Sequence, residues 1–364
     1  MTKTSIQTII LSSGGTGGHV FPALSLAEEL STRGYNVVIM TDHRGEVFQE
    51  ATGVSKVIPL PTWQSKGPLG PVVLAMGLTL SLFIALWHMI RLRPSVVVGF
   101  GGYPSIPAVL AGKVTCIPTA LHEQNAVLGR ANRLLARFVR RIGVSFERVK
   151  YADSYGGKII YTGNPVRKSI IAVRDNPYQS STPKNSFRLF IMGGSQGARV
   201  FSSVIPAALS QLPKEMRDRL IVHQQCRPEL VEKTKQDYQQ LGMTVDIRAF
   251  FDDVDQQLSD AHLIIGRAGA STVTELMVSG RPAILVPYPY AMDNHQLANA
   301  LSLSEGNAAW VIIESDFTPQ KLQEMIQRAM NDDNILKVMA QNMRQFGQPI
   351  AAMNLAQMVE GLLS

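Results

Sequence analysis

Gly14-Gly15-Thr16-Gly17-Gly18-His19 is the stretch on which the reading of this chain turns. An apolar run, Thr8-Ile9-Ile10-Leu11, leads into it, and a helical pattern from Phe21 to Leu30 follows. Strand, glycine loop and helix in that order predict a βα turn. Its backbone can approach a ligand closely, and its helix start offers unpaired N–H groups and the positive end of a dipole. A phosphate or another anion suits that setting. His19 closes the loop with an imidazole able to exchange a proton near neutral pH. The same residues fit a tight turn with a capping histidine equally well, so the decision falls to the rest of the chain.

Working outward, strands are expected at Asn36–Thr41, Lys56–Leu60, Ser95–Phe100, Cys116–Leu121 and Lys158–Thr162, with helical patterns between most of them. Alternating elements with continuous apolar strands argue for an α/β fold with a parallel sheet covered on both faces. Asp42 ends the second strand, where a dinucleotide fold places its ribose acid, but the glycines here do not follow G-x-G-x-x-G. Two more strand ends carry polar or glycine-rich loops, Gly99–Ser105 and His122-Glu123-Gln124-Asn125. The carboxyl ends of parallel strands are where such sheets bind ligands.

The pattern then restarts. After Asp175–Asn185, which reads as a loop near a domain junction, Phe187–Met192 is a strand, Gly193-Gly194-Ser195-Gln196-Gly197-Ala198 a glycine loop, and Arg199–Leu212 a helix. Each half therefore opens alike, which predicts two Rossmann-like domains with parallel sheets facing a central cleft. The second half continues with strands at Leu220–Gln224, Thr244–Ile247, Leu263–Gly266, Ala283–Val286 and Trp310–Ile313. Loops follow at Phe250–Asp253, Gly266–Glu275 and Pro287–Gln296. Thr272 to Glu275 matches a helix capping box, so capping and ligand binding stand level for Glu275.

With 364 residues, 45% of them hydrophobic and 17% charged, the chain is globular and long enough for two domains. Its two cysteines, Cys116 and Cys226, have no metal-ligand spacing and suggest a reducing compartment. No secretory signal is read at the N-terminus. The net charge of +7 favours anionic partners. Pro71–Ile90 is a charge-free apolar stretch long enough to span a bilayer. It lies between two strands expected in one sheet, so a helix with one face buried and the other exposed to lipid is preferred over a core helix or a span. Within 129–150, Arg130, Arg133, Arg137 and Arg141 are expected on one helical face. Without interleaved aromatics, anionic lipid suits that segment better than nucleic acid.

Taken in order, Gly14–His19, Gly99–Ser105, His122–Asn125, Gly163–Arg167, Gly193–Ala198, Arg267–Glu275 and Asp293–Ala300 resemble the motifs of the MurG family, the bacterial peptidoglycan N-acetylglucosaminyltransferases. The resemblance covers nearly the whole chain. It implies a GT-B fold with an N-terminal acceptor- and membrane-binding domain, 1–165 plus a last helix at about 346–364, and a C-terminal donor domain, 166–345. It implies an inverting β-1,4 transfer of N-acetylglucosamine from its UDP donor to undecaprenyl-linked lipid I, giving lipid II. The enzyme would act at the cytoplasmic face of the plasma membrane as a peripheral protein, near other cell-wall and division proteins. Neither a cofactor nor a catalytic metal is implied, and UDP-N-acetylglucosamine is a substrate.

Residue by residue, the resemblance puts Arg167 and Ser195 on the donor diphosphate and the backbone of Phe251 on uracil. Ala270, Ser271, Thr272, Val273, Thr274 and Glu275 form the donor loop, with Glu275 on the ribose hydroxyls. Gln296 reads the sugar, and His295 stands where some members carry another glutamine. Thr16, Gly17, Gly18 and Asn125 lie near the transferred sugar. An inverting transfer also needs a base for the acceptor hydroxyl, and both His19 and Glu123 sit at strand ends of the acceptor domain. His19 is preferred because its ordinary pKa lies closer to working pH. Rival readings are another GT-B enzyme, such as a UDP-N-acetylglucosamine 2-epimerase or a diacylglycerol glycosyltransferase, and a nucleotide-binding membrane scaffold without turnover.

Overall fold

The computed structural model describes residues 6–15, 17–42, 45–61, 63, 69–182, 185–194 and 197–363. The chain divides into two compact units, one of residues 1–167 and 348–364, the other of residues 168–347.

The first unit is built on seven strands: β1 (Thr8–Ser13), β2 (Asn36–Thr41), β3 (Lys56–Pro59), β4 (Val96–Gly99), β5 (Thr119–Glu123), β6 (Arg141–Val144) and β7 (Ile159–Tyr161). They pair in parallel in the order β3-β2-β1-β4-β5-β6-β7. The order turns around between β1 and β4, and a parallel sheet opens a ligand crevice at such a switch point. Continuous burial of Ile9, Ile10 and Leu11 in β1 reflects cover on both faces. Helix α1 (Gly17–Thr32) buries Ala23, Leu26, Ala27 and Leu30 on one side of the sheet. The last helix, Ala351–Glu360, joins the same core through Leu355, Ala356 and Val359. Arg33 ties it down by donating to Glu360 at 2.7 Å.

Helix α2 (Gly70–Leu92) fills the crossover between β3 and β4. Gly70, Gly77, Ser81, Ala85, His88 and Met89 are buried, and α2 packs against α3 (Ser105–Val114). Its other side exposes Val72, Met76, Leu80, Phe83, Trp87 and Ile90. Those positions recur every three or four residues and form one stripe. Among the described residues it is the one helix long and apolar enough to cross a membrane.

Two expectations fail here. The arginines of 129–150 do not share a helical face: α4 spans only Arg130–Leu135, and Arg141 opens strand β6. Burial of Ile142, Gly143 and Val144 between β5 and β7 outweighs the helical spacing of the charges. Arg133 instead lies over the Tyr151 ring, 4.6 Å from its centroid. The strand expected from Cys116 begins at Thr119, because Cys116 turns the chain with φ +59°.

In the second unit, β8 (Phe187–Met192), β9 (Leu220–Gln225), β10 (Val245–Arg248), β11 (Leu263–Gly266), β12 (Ala283–Leu285) and β13 (Ala309–Val311) form a parallel sheet. Its order is β10-β9-β8-β11-β12-β13, with the switch point between β8 and β11. Phe187, Leu189 and Ile191 of β8 pack with Phe201, Ile205 and Leu209 of the helix Arg199–Ser210. Arg281 is fully buried and donates to the carbonyls of Leu258, Ser259, Ser279 and Asn176, stitching three segments together. Two parallel-sheet units of this kind meet the GT-B expectation for each half of the chain.

Candidate active site

In the first unit, Ser12 of β1 pairs with Gly99 of β4, so the loops that follow leave adjacent strand ends at the switch point. Ser105 joins them, its hydroxyl donating to Ser12 O at 3.0 Å and Gly101 O at 2.8 Å. Gly101 has φ +91°, a conformation open to glycine, and a Cβ there would lie 3.2 Å from His19 Cε1. The bare backbone of the second loop thus makes room for the imidazole of the first.

β5 ends on the same side. His19 Nδ1 lies 2.8 Å from Gln124 Oε1, and Gln124 Nε2 lies 3.0 Å from His122 Nδ1. His122 is fully buried, and its Nε2 lies 3.0 Å from the Gly163 carbonyl. Desolvation lowers the His122 pKa to about 4, outweighing the hydrogen bond to Gly163 that favours the cation, so the ring is neutral at pH 7. Glu123 points its carboxylate elsewhere. Oε1 accepts from Asn125 N at 3.0 Å and Asn125 Nδ2 at 3.2 Å, and Oε2 accepts from Gly129 N and Asn132 Nδ2, both at 2.8 Å. At 2% exposure it anchors the loop from Asn125 to Asn132. Nothing local in the sequence marks Asn132, borne on α4, as the partner of a strand-end glutamate.

Gly17 and Gly18 open α1, so their N–H groups belong to a helix start, as the glycine loop required. Thr16 lies outside the described residues. Arg167 rests its guanidinium over Phe21 of α1, 5.1 Å from the ring centroid.

In the second unit Gly193, after β8, lies close against Ala198: a Cβ on Gly193 would meet Ala198 N at 2.5 Å. Gly193 N donates to Gln225 Oε1 at the end of β9. Ser195 lies outside the described residues. Phe251 is buried edge-on against Phe190 with Arg248 over its ring, leaving its backbone to any ligand role. β11 runs into the helix Ala270–Ser279, which carries Ala270, Ser271, Thr272, Val273, Thr274 and Glu275. The capping box is not formed. Gly269, extended at φ −65° and ψ 151°, is the N-cap, so Thr272 is already helical and Glu275 lies in the second turn. Thr274 is occupied by a bond to Ala270 O at 2.7 Å. Beyond β12, Gln296 Oε1 accepts from Tyr288 N at 2.9 Å, and His295 Nδ1 donates to Met292 O at 2.8 Å. Asp293 and Asn294 precede them in the left-handed region. Asn299 donates to Ala268 O at 3.0 Å, joining the helix His295–Glu305 to the loop after β11.

Each unit therefore gathers glycine loops, helix starts and polar side chains at the carboxyl ends of its strands, the arrangement of a site for anionic, hydroxyl-rich ligands. The glycosyltransferase family 28 N-terminal domain matches residues 9–144, and the C-terminal domain of the same family matches residues 188–355. A UDP-N-acetylglucosamine--N-acetylmuramyl-(pentapeptide) pyrophosphoryl-undecaprenol N-acetylglucosamine transferase of Paramagnetospirillum magneticum is 45% identical over 99% of this chain and 98% of its own. The transferase of the same name from Rhodospirillum rubrum is 46% identical over 96% of this chain and 91% of its own. Among solved structures, Acinetobacter baumannii MurG superposes with a TM-score of 0.80 at 30% identity, covering 98% of this chain and 99% of that one. A putative UDP-N-acetylglucosamine 2-epimerase from Listeria monocytogenes shares the fold, with a TM-score of 0.68 at 13% identity over 96% of this chain and 94% of that one. Both halves of the chain and nearly its whole length are accounted for by one group of hexosyltransferases, and the chain belongs to glycosyltransferase family 28, in its MurG branch.

Proposed function

We propose that this protein transfers N-acetylglucosamine from UDP-N-acetylglucosamine to the C4 hydroxyl of the N-acetylmuramoyl-pentapeptide of lipid I, with inversion, producing lipid II and UDP. The observation that carries this reading is 45% identity over 99% of the chain to a transferase of that name. In the reaction the acceptor oxygen bonds to the anomeric carbon as the bond to the diphosphate breaks. The hydroxyl proton goes to a base of the first unit, and UDP departs with the negative charge. His19 is the proposed base. Glu123 is the weaker choice because its carboxylate is engaged by four N–H donors that anchor the segment after β5.

The second unit is the proposed donor domain. Glu275 would hold the ribose hydroxyls, Phe251 the uracil through its backbone, and Gln296 and His295 the sugar. Ser195, Arg167 and the starts of the glycine-loop helices would take up charge on the departing diphosphate by electrostatic preorganisation. The proposed location is the cytoplasmic face of the plasma membrane, by peripheral attachment. The exposed stripe of α2 supplies the apolar contact and the basic 129–150 segment the attraction to anionic lipid. The strands flanking α2 belong to one parallel sheet, which disfavours a span.

The test is incubation with UDP-N-acetylglucosamine and a lipid I analogue, following UDP and the disaccharide product. Acceptor-dependent UDP release is expected. Epimerisation of the donor without acceptor, or UDP binding without turnover, would overturn the reading.

A further inference from the structure

We propose that Gln124 and His122 are positioning residues that lock His19 in the tautomer protonated on Nδ1, making Nε2 the nitrogen that receives the acceptor's proton. The inference deepens the reading of His19 as base and rests on it for its catalytic consequence. Its structural content, a fixed tautomer, stands on the hydrogen-bond chain alone.

The chain is decided from its far end. The Gly163 carbonyl can only accept, so the His122 Nε2 lying 3.0 Å away must carry a proton. A neutral imidazole has one N–H, and burial lowers the His122 pKa to about 4, so its Nδ1 bears a lone pair at working pH. That lone pair requires a donor. Gln124 Nε2, at 3.0 Å, supplies it, and the same amide nitrogen donates to His122 O, also at 3.0 Å. Two acceptors thus settle which way the Gln124 amide faces. Its Oε1 is left to accept, and the His19 Nδ1 at 2.8 Å must be the N–H. The flipped amide would turn its oxygen toward two acceptors at once, the Nδ1 lone pair and the carbonyl of His122.

The anchor carbonyl is itself held. Gly163 has φ +75°, and a Cβ there would collide with Gln348 Cβ at 2.5 Å. Thr162 Oγ1 also donates to Gly163 O at 3.0 Å. Residues from three strand ends and the C-terminal segment therefore converge on one protonation choice. Imidazole in water prefers the proton on the other nitrogen, Nε2, so the chain opposes the default. It differs from a Ser-His-Asp triad in ending on a neutral amide, which orients the ring without adding a negative charge beside it.

Long-range 1H–15N correlation of histidine-labelled protein reads tautomers directly, with His19→Gln and His122→Asn spectra assigning the two rings. In the wild type, His19 is expected as the Nδ1–H form and His122 as the Nε2–H form. Gln124→Leu should return His19 to the Nε2–H form and lower kcat by about tenfold or more while UDP affinity holds. Gln124→Glu should keep His19 in the Nδ1–H form, since a carboxylate oxygen also accepts there, while its other oxygen, facing His122 Nδ1 in place of the amide N–H, should draw a proton onto that nitrogen. A wild-type His19 protonated on Nε2 overturns the proposal, as does an unchanged His19 tautomer in Gln124→Leu. Should Gln124→Leu not fold, the wild-type spectrum and Gln124→Glu decide alone. A switched tautomer with unchanged turnover would uphold the lock and overturn His19 as base.

Discussion

Glu123 and His19 part company in what their removal should cost. Glu123→Ala removes the acceptor shared by four N–H donors in a buried segment, and urea unfolding should show a loss of about 2–4 kcal/mol, with turnover falling alongside. His19→Gln should leave stability within about 1 kcal/mol and UDP affinity intact, yet reduce turnover by roughly 10²–10⁴-fold. A stable but inactive Glu123→Gln, beside an active His19→Gln, would reverse the assignment. His122 makes a separate prediction. Its folded pKa, about 4, lies below the ordinary value of 6.5, so the unfolded chain binds the proton first. Stability from this group is full above pH 6.5 and is lost as pH falls toward 4, by on the order of 3 kcal/mol in all. Unfolding free energies at pH 7.5 and 4.5 should therefore converge in His122→Asn relative to the wild type. Equal pH dependence in both proteins would show that His122 is not the buried neutral group described.

At the scale of elements, α2 separates two demands that one helix meets at once. Its small residues Gly77, Ser81 and Ala85 allow close packing, and a Cβ on Gly77 would lie 2.6 Å from Pro61 O. The opposite stripe carries Phe83 at 65% exposure and Trp87 at 54%. Arg91 rests against Trp87, 5.2 Å from its ring centroid, a pairing of cation and aromatic suited to a lipid interface. Phe83→Glu with Trp87→Glu should abolish most co-flotation with vesicles containing anionic lipid. Wild-type binding should weaken in 0.5 M salt without vanishing, because apolar contact survives screening. Flotation of the double variant at the wild-type level would remove α2 as the membrane contact.

For the whole molecule, the path of the chain matters as much as its sheets. It leaves the first unit after Arg167 and returns at Gln348, so the last helix completes a core begun more than three hundred residues earlier. Leu355 is fully buried there, and Leu355 Cδ1 lies 3.1 Å from where a Cβ on Gly143 would stand. Leu355→Ala should destabilise the first unit by about 2–5 kcal/mol. Thermal unfolding should show the lower-melting transition, with UDP binding by the second unit surviving past it. A single transition shifted as a whole would mean instead that the two units unfold together.

Periodicity and turn chemistry along the chain were enough for the two parallel sheets, the glycine loops and the amphipathic stretch that became α2, because these depend on neighbours a few residues apart. The short strand β6 was hidden for the same reason: its arginine spacing mimicked a helix, and only pairing with β5 and β7 selected the extended form. The Thr272–Glu275 match to a capping box failed because Gly269 took the cap. What the tertiary structure alone decided is the character of the site. His19, Gln124, His122 and Gly163 are bound together over separations as large as 105 residues, and Glu123 finds Gly129 and Asn132 only when the loop folds back. A local sequence pattern names groups that can donate or accept. Which of them face each other, away from water, is set by the packing of strand ends at the switch point, and that fixes which carboxylate is an anchor and which nitrogen holds its proton.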